Sequence, residues 1–265
     1  MRTETGPRVA VLPLRQADAA RAAELATSLQ LNLLPAHTTK AQWRDFELLL
    51  WVDGPALALQ VAAPGGGGRV GVDFGDPSMR HRRRGGHNEL LGRAVGVGKL
   101  PGLSVLDATA GLGRDGFVLA DLGAVVHLYE RHPLLGLLLQ SGLEIARSGT
   151  DPWLQAVSAR MVLHVEDATS AELRDGECDV IYLDPMFPQR NKAAAVKKEM
   201  ALFQRLLQSE PADAEGLLDW ALDQPVARVV VKRPARAGAL AGTRPSYSID
   251  GKAVRFDVHV LRALG

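Results

Sequence analysis

From Leu103 to Val231 the apolar positions gather into short runs, LSVLD, AVVHLYE, MVLHV, CDVIYLD and ARVVVK, spaced by longer segments of helical periodicity. The runs predict strands over 103–107, 124–130, 160–165, 178–184 and 227–232. The segments between them predict helices over 114–122, 133–148, 192–208 and 213–223. Strand and helix in alternation imply a parallel sheet with right-handed crossovers. Ser246 to Ile249 and Ala253 to Leu261, on either side of Asp250-Gly251, predict a closing antiparallel hairpin.

The chain before residue 98 is patterned differently. Arg8 to Leu14 predicts a strand, and Gln16 to Gln30 has the alanine and leucine content of a helix. Phe46 to Val52 and Ala56 to Ala63 are β-rich runs around the turn signal Asp53-Gly54-Pro55. Pro64 and Gly65 to Gly68 predict a loop, and Arg69 to Phe74 a further strand. Gly96-Val97-Gly98 and Pro101-Gly102 punctuate the end of this region. The expected division is an α+β region over 1–98 and an α/β domain over 99–265.

Composition narrows the partners. Apolar residues make up 46% and charged residues 23%, as in ordinary globular proteins. The 31 basic and 30 acidic side chains leave a net charge of +1, so affinity for a polyanion must come from local clusters. The single cysteine, Cys178, excludes an internal disulfide and reads as a buried small side chain. The histidines show no H-E-x-x-H or comparable spacing, so no metal is expected. The N-terminal apolar run is too short for a signal sequence and no stretch approaches membrane-spanning length, which predicts a cytoplasmic protein.

Two predicted strands end in an aspartate, Asp107 and Asp184. In an open parallel sheet, ligands sit beyond the carboxyl ends of the strands, where strand order reverses, so these two ends can share one site. After Asp107 comes Gly111-Leu112-Gly113-Arg114-Asp115-Gly116, a G-x-G-x-x-G, and Glu130 follows about 20 residues later, the spacing of a dinucleotide site. A nicotinamide or flavin oxidoreductase is therefore one reading. The charges favour another: a pyrophosphate is repelled by carboxylates such as Asp107 and Asp115, whereas the sulfonium and ammonium of S-adenosylmethionine (SAM) are not. Glu130 offers a bidentate acceptor for ribose hydroxyls, and Asp167 in HVEDA an acceptor for the adenine amine. The alternatives are a helix N-cap for Asp115 and solvated loop acids for Glu130 and Asp167.

Asp184-Pro185-Met186-Phe187-Pro188 suits transfer to an exocyclic amine on a planar base. Such a nitrogen is a poor nucleophile because its lone pair is delocalised into the ring. Asp184 and the Pro185 carbonyl can accept its two N–H bonds, and Phe187 can stack on the base, a contact worth roughly 1–3 kcal/mol. Arg80, His81, Arg82, Arg83 and Arg84 form one basic cluster. Arg190, Lys192, Lys197 and Lys198 follow the Asp184 turn, and Lys232 and Arg233 end the fifth strand. If these segments converge they give a near-neutral chain a local surface for RNA phosphates.

Taken together, VDF followed by M-x-HRR, DATAGLGRDGFVLA, YLDPMFP, VKKEM and VVVKRP resemble, in order, the blocks of the J-type small-subunit rRNA guanine-N2 methyltransferases of bacteria. The resemblance covers about residues 70–262. It implies a Rossmann-like class I methyltransferase sheet with a C-terminal β-hairpin, SAM as cofactor, and 16S rRNA or the small ribosomal subunit as partner. It also implies cofactor contacts at Arg114, Asp115, Glu130, Arg131, Glu166, Asp167 and Asp184. Glu166-Asp167 departs from the family pattern, which has small hydroxyl residues there. A DNA or tRNA amino-methyltransferase, a dinucleotide-binding oxidoreductase and an RNA-binding assembly factor without catalysis remain as alternatives.

Overall fold

The computed structural model describes residues 7–63, 67–84, 89–185, 202–203, 205–206 and 213–265. The helix expected over 192–208 lies outside the described residues except at Leu202, Phe203, Arg205 and Leu206, which are helical. The described residues fall into two compact units, one within Met1–Val72 and Phe187–Pro211, the other within Asp73–Met186 and Ala212–Gly265.

The first unit is built on a five-stranded sheet in the order β2-β1-β3-β4-β5, comprising β1 (Val9–Pro13), β2 (Asn32–Leu33), β3 (Leu48–Asp53), β4 (Ala56–Val61) and β5 (Val70–Gly71). Strand β1 runs parallel to both β2 and β3, while β3 and β4 form the expected hairpin, with Asp53 opposite Ala56. Gly54 takes the left-handed φ of +54° that this tight turn requires. Helix α1 (Ala19–Ser28) packs on β1, burying Ala22 and Ala26. Ala10, Leu12, Leu49 and Trp51 form a core cluster of this unit, with Trp43 and Phe46 packed against it. The strand expected over 69–74 shrinks to two residues. Asp73 Oδ1 accepts the Gly75 N–H at 2.8 Å and turns the chain, and Phe74 leaves to stack on Phe117 with centroids 4.5 Å apart.

The second unit holds a seven-stranded sheet in the order β11-β12-β10-β9-β6-β7-β8. Its strands are β6 (Ser104–Asp107), β7 (Val125–Tyr129), β8 (Met161–His164), β9 (Val180–Leu183), β10 (Arg228–Pro234), β11 (Tyr247–Asp250) and β12 (Val254–Val260). Strands β10, β9, β6, β7 and β8 are mutually parallel, and β12 and β11 complete the sheet antiparallel. Strand order reverses between β6 and β9, which puts the ends of these two strands at the ligand-binding position of such sheets. Six helices are described here: α2 (Pro77–Arg84), α3 (Glu89–Val95), α4 (Arg114–Asp121), α5 (Pro133–Ser148), α6 (Pro152–Ser158) and α7 (Ala214–Leu222). Pro133 and Pro152 stand at the first turns of α5 and α6, where a missing N–H costs nothing. His132 Nδ1 and Asp151 Oδ1 cap these helices by accepting from Leu134 N and Trp153 N.

Helices α2, α3 and α6 were not expected from periodicity. Residues 73–98, expected with the N-terminal region, pack in the second unit. Helix α3 lies on β10 and β12, and the Arg228 guanidinium donates to Ala94 O at 3.2 Å.

Candidate active site at the carboxyl edge of the second sheet

Strands β6 and β9 are laced together where they end. Ala108 N donates to Tyr182 O at 3.0 Å, and Asp184 N donates to the Thr109 hydroxyl at 2.7 Å. Thr109 also turns back on Asp107, whose Oδ1 accepts its N–H at 3.1 Å. Asp107 and Asp184 thus sit on one rigid ledge, and Thr109, which sequence reasoning passed over, is the bridge. Pro185 is buried beside it.

The glycine turn is held from the next strand. Ala110 N donates to Tyr129 O at 3.0 Å, and the buried Glu130 accepts Gly111 N through Oε2 and His132 N through Oε1, each at 2.8 Å. Glu130 therefore fixes the loop whatever else it binds. Gly111 and Gly113 have φ of +55° and +73°. At Gly113 a Cβ would also lie 2.5 Å from Leu139 Cδ1, so only glycine satisfies both the backbone and the packing. Gly116 serves packing alone: a Cβ there would run into Leu128 Cδ2, so α4 rides directly on β7.

Charge is concentrated on this ledge. Asp115, in the first turn of α4, accepts the Tyr182 hydroxyl at 2.7 Å and the Lys232 ammonium at 2.6 Å, both on Oδ2. The same ammonium lies 2.7 Å from Asp184 Oδ2. Burial pushes the Asp107 carboxyl up to about 8, and the neighbouring Asp115 and Asp184 add to it against the Thr109 N–H and Lys232. Burial likewise pushes the Tyr182 phenol up. Burial works against the charge on Lys232, but Asp115 and Asp184 outweigh it and hold the ammonium protonated. With Asp107 protonated near neutrality, Asp115, Asp184 and Lys232 sum to one negative charge, a setting for a cationic ligand.

The comparisons with known proteins agree with this geometry. The SAM-dependent methyltransferase family matches residues 33–261. The chain is 44% identical to ribosomal RNA small subunit methyltransferase J of Pseudomonas aeruginosa strain UCBPP-PA14, over 100% of this chain and 99% of the relative. It is 44% identical to the protein of that name from Marinobacter nauticus, over 97% and 92%. The chain belongs to the ribosomal RNA small subunit methyltransferase J family. A crystal structure of a SAM-dependent methyltransferase from Neisseria gonorrhoeae is 32% identical, covers 97% of both chains and superposes with a TM-score of 0.69. The J family is a class I family whose cofactor is SAM, which when bound supplies an electrophilic methyl on a sulfonium. The donor set fits that molecule, because carboxylates line the ledge where a dinucleotide would need donors for its phosphates.

Other expected site residues of this J-family chain are dispersed. Arg131 Nη1 lies 3.8 Å from Asp167 Oδ2, and Glu166 Oε1 lies 3.8 Å from His164 Nδ1, so this group collects at the ends of β7 and β8. Asp167 caps a 3-10 turn, accepting Thr169 N at 2.9 Å and its hydroxyl at 2.7 Å. Although burial raises its pKa, these bonds and Arg131 outweigh it and hold the carboxyl below the usual range. Arg114 lies close enough to Asp76 to help depress that carboxyl, after the Ser78 hydrogen bonds.

Among the expected RNA contacts, Arg80 is tied down within the unit. It pairs with Asp151 at 2.5 Å, donates to Gly75 O at 3.1 Å, and lies over the Trp153 ring. Arg82, Arg83 and Arg84 continue α2, and their side chains lie outside the described residues. Phe187, Lys192, Lys197 and Lys198 also lie outside them. Lys232 and Arg233 are not presented to a polyanion in this geometry. Successive strand residues face opposite sides of the sheet, so Lys232 turns onto the acidic ledge while the buried Arg233 donates to Gly238 O at 2.9 and 3.2 Å. Among the described residues no cluster of three or more His, Cys, Asp or Glu side chains could hold a metal ion.

Proposed function

We propose that this chain transfers the methyl group of SAM to the exocyclic N2 amine of a guanine in 16S rRNA, in the cytoplasm. The observation that carries the reading is the pairing of two strand ends. Asp107 and the glycine turn face the same edge as Asp184-Pro185, locked to it through Thr109. The names of the relatives, ribosomal RNA small subunit methyltransferase J, supply the substrate class. No helix among the described residues is long and apolar enough to cross a membrane.

In this reading Asp107, Gly111, Gly113, Arg114, Asp115, Glu130, Arg131, Glu166 and Asp167 bind the cofactor. Asp184 and the Pro185 carbonyl accept the two N–H bonds of the target amine, and Phe187 stacks on its ring. Holding both N–H bonds favours a more tetrahedral nitrogen with its lone pair toward the methyl. No strong base is needed, since the nitrogen becomes acidic as it is methylated. Alignment of the reacting atoms at about 3–3.5 Å supplies most of the rate. The base must be reached unpaired or extruded, because N2 is otherwise engaged in pairing. Residues 1–98, with Arg82, Arg83 and Arg84 of α2 but not the tied-down Arg80, are the proposed RNA-docking region.

The test is methyl transfer from labelled SAM to deproteinised 16S rRNA and to small subunits, followed by nucleoside digestion. The expected product is N2-methylguanosine, and Asp184→Ala should abolish it. Methyladenosine as the product, or full activity in Asp184→Ala, would overturn the assignment.

A further inference from the structure

The basic pattern assigns Lys232, near the end of β10, to RNA, yet its ammonium lies against two carboxylates of the active-site ledge. The register of β10 on β9 pairs Val231 with Leu183 and so brings Lys232 beside Asp184. Its side chain is 22% exposed, against 36% for Asp184 and 13% for Asp115. Asp115 is the firm end of this arrangement, because it sits in α4 and takes a hydrogen bond from Tyr182, which is fully buried in β9. Asp184 has its backbone N–H fixed by Thr109, but its side chain is the most exposed of the three.

We propose that Lys232 is a positioning residue for methyl transfer, its ammonium clamping the Asp184 carboxylate to the Asp115 anchor. The inference rests on the reading that Asp184 receives the target amine. Lysine is well suited to such a bridge, being a compact point charge on a flexible stem that can reach two acids, whereas the planar fork of arginine prefers one carboxylate held side-on. Without the ammonium, Asp107, Asp115 and Asp184 would repel one another. The more exposed Asp184 would turn away and hold a proton at higher pH. Among the described residues, the groups facing Asp184 include Asp107 from β6, Asp115 from α4, Tyr182 from β9 and Lys232 from β10. A clamp of this kind acts on kcat through geometry and charge, and makes no contact of its own with substrate.

The experiment compares wild type with Lys232→Met, Lys232→Gln, Lys232→Arg, Asp184→Asn and the double variant Lys232→Met/Asp184→Asn. Single-turnover rates across pH are paired with calorimetric binding of S-adenosylhomocysteine. Lys232→Met should lower the rate about 10²-fold, the scale of a small misplacement of a reacting group. Affinity for S-adenosylhomocysteine should stay near the wild-type value. The acid limb of the rate profile should move up by about one pH unit or more, as expected when a paired carboxylate loses its cation. Lys232→Arg should recover part of the rate and most of the acid limb. The double variant should be no slower than Asp184→Asn alone. Should Lys232→Met fail to fold, Lys232→Gln provides the same readings. Losses that multiply in the double variant would overturn the clamp, as would a falling rate with an unmoved acid limb. A raised KM for RNA with a weaker salt dependence would mean a phosphate contact instead. Full activity in Asp184→Asn would defeat the parent reading, whereas near wild-type Lys232→Met beside an impaired Asp184→Asn defeats the clamp alone.

Discussion

Asp107 offers a direct check on the electrostatics of the ledge. Its carboxyl is 2% exposed and titrates at about 8, against 3.8 for the ordinary group. Between those values the native protein holds a proton that the unfolded chain has lost. Stability contributed by the protonated acid is therefore complete below about pH 4 and declines as pH rises toward 8, by about 1.4 kcal/mol per pH unit. Asp107→Asn imitates the protonated acid. Its amide oxygen can still accept the Thr109 N–H, and no charge has to be removed on folding. His127 and His259, both depressed by burial, contribute with the opposite sign, but they are common to both proteins and cancel in the difference. The variant should thus gain on wild type by about 3 kcal/mol between pH 5.5 and 7.5, two units at about 1.4 each. Urea unfolding of the ligand-free protein, followed by circular dichroism at half-unit pH intervals, measures that difference. Parallel curves for the two proteins would refute the raised pKa, and with it the view that the ledge carries a single negative charge.

Three further outcomes follow from the same geometry. Gly113→Ala combines left-handed strain of about 1–2 kcal/mol with a clash on Leu139 worth about 1–3 kcal/mol, so its urea midpoint should fall by the equivalent of about 2–5 kcal/mol. Arg80→Ala removes a half-exposed ion pair with Asp151 and should cost no more than about 1 kcal/mol in thermal unfolding, while the salt dependence of RNA binding stays as it was. Replacing Arg82, Arg83 and Arg84 together with alanine should raise the KM for RNA and reduce the slope of log affinity against log salt by about 2, from three contacts at about 0.7 each. Calorimetry should find S-adenosylhomocysteine binding unchanged in the triple variant, and an equal loss of both ligands would point to misfolding.

Buried strands and long helices were legible because many residues vote for each. Helix α5 spans the expected 133–148, and β6, β7, β8 and β9 lie within the expected runs. The missed helices α2 and α6 are short, seven or eight residues. They nevertheless share a local signal that could have found them: Asp76-Pro77 and Asp151-Pro152. In each pair the aspartate accepts the N–H two residues on and the proline opens the helix. In α2 this capping signal was masked by the arginine run, which reads as a surface cluster. The carboxyl edge was legible in the same partial way. Asp107, the glycines and Glu130 stand at strand ends, where sequence position alone locates them. Thr109 and Tyr182 do not, since their work is to tie one strand end to another, and which strands are neighbours depends on sheet order.

Lys232 shows the same limit from the side of charge. A basic residue after VVV reads as a phosphate ligand while the chain is considered in one dimension. Only the pairing of β10 with β9 places it next to Asp184, and only the alternation along β10 separates it from Arg233. Once paired there, its charge has an electrostatic consequence that neither acid carries alone. Two carboxylates within reach of one ammonium can both stay ionised, while the more deeply buried Asp107, competing for the same cation, keeps its proton. The ledge thereby sets three chemically identical side chains apart by burial and by distance to a single lysine. Deleting that lysine should change which acid is protonated, and a pH-rate profile reads that change directly, whereas a stability measurement alone would not separate it from ordinary loss of packing.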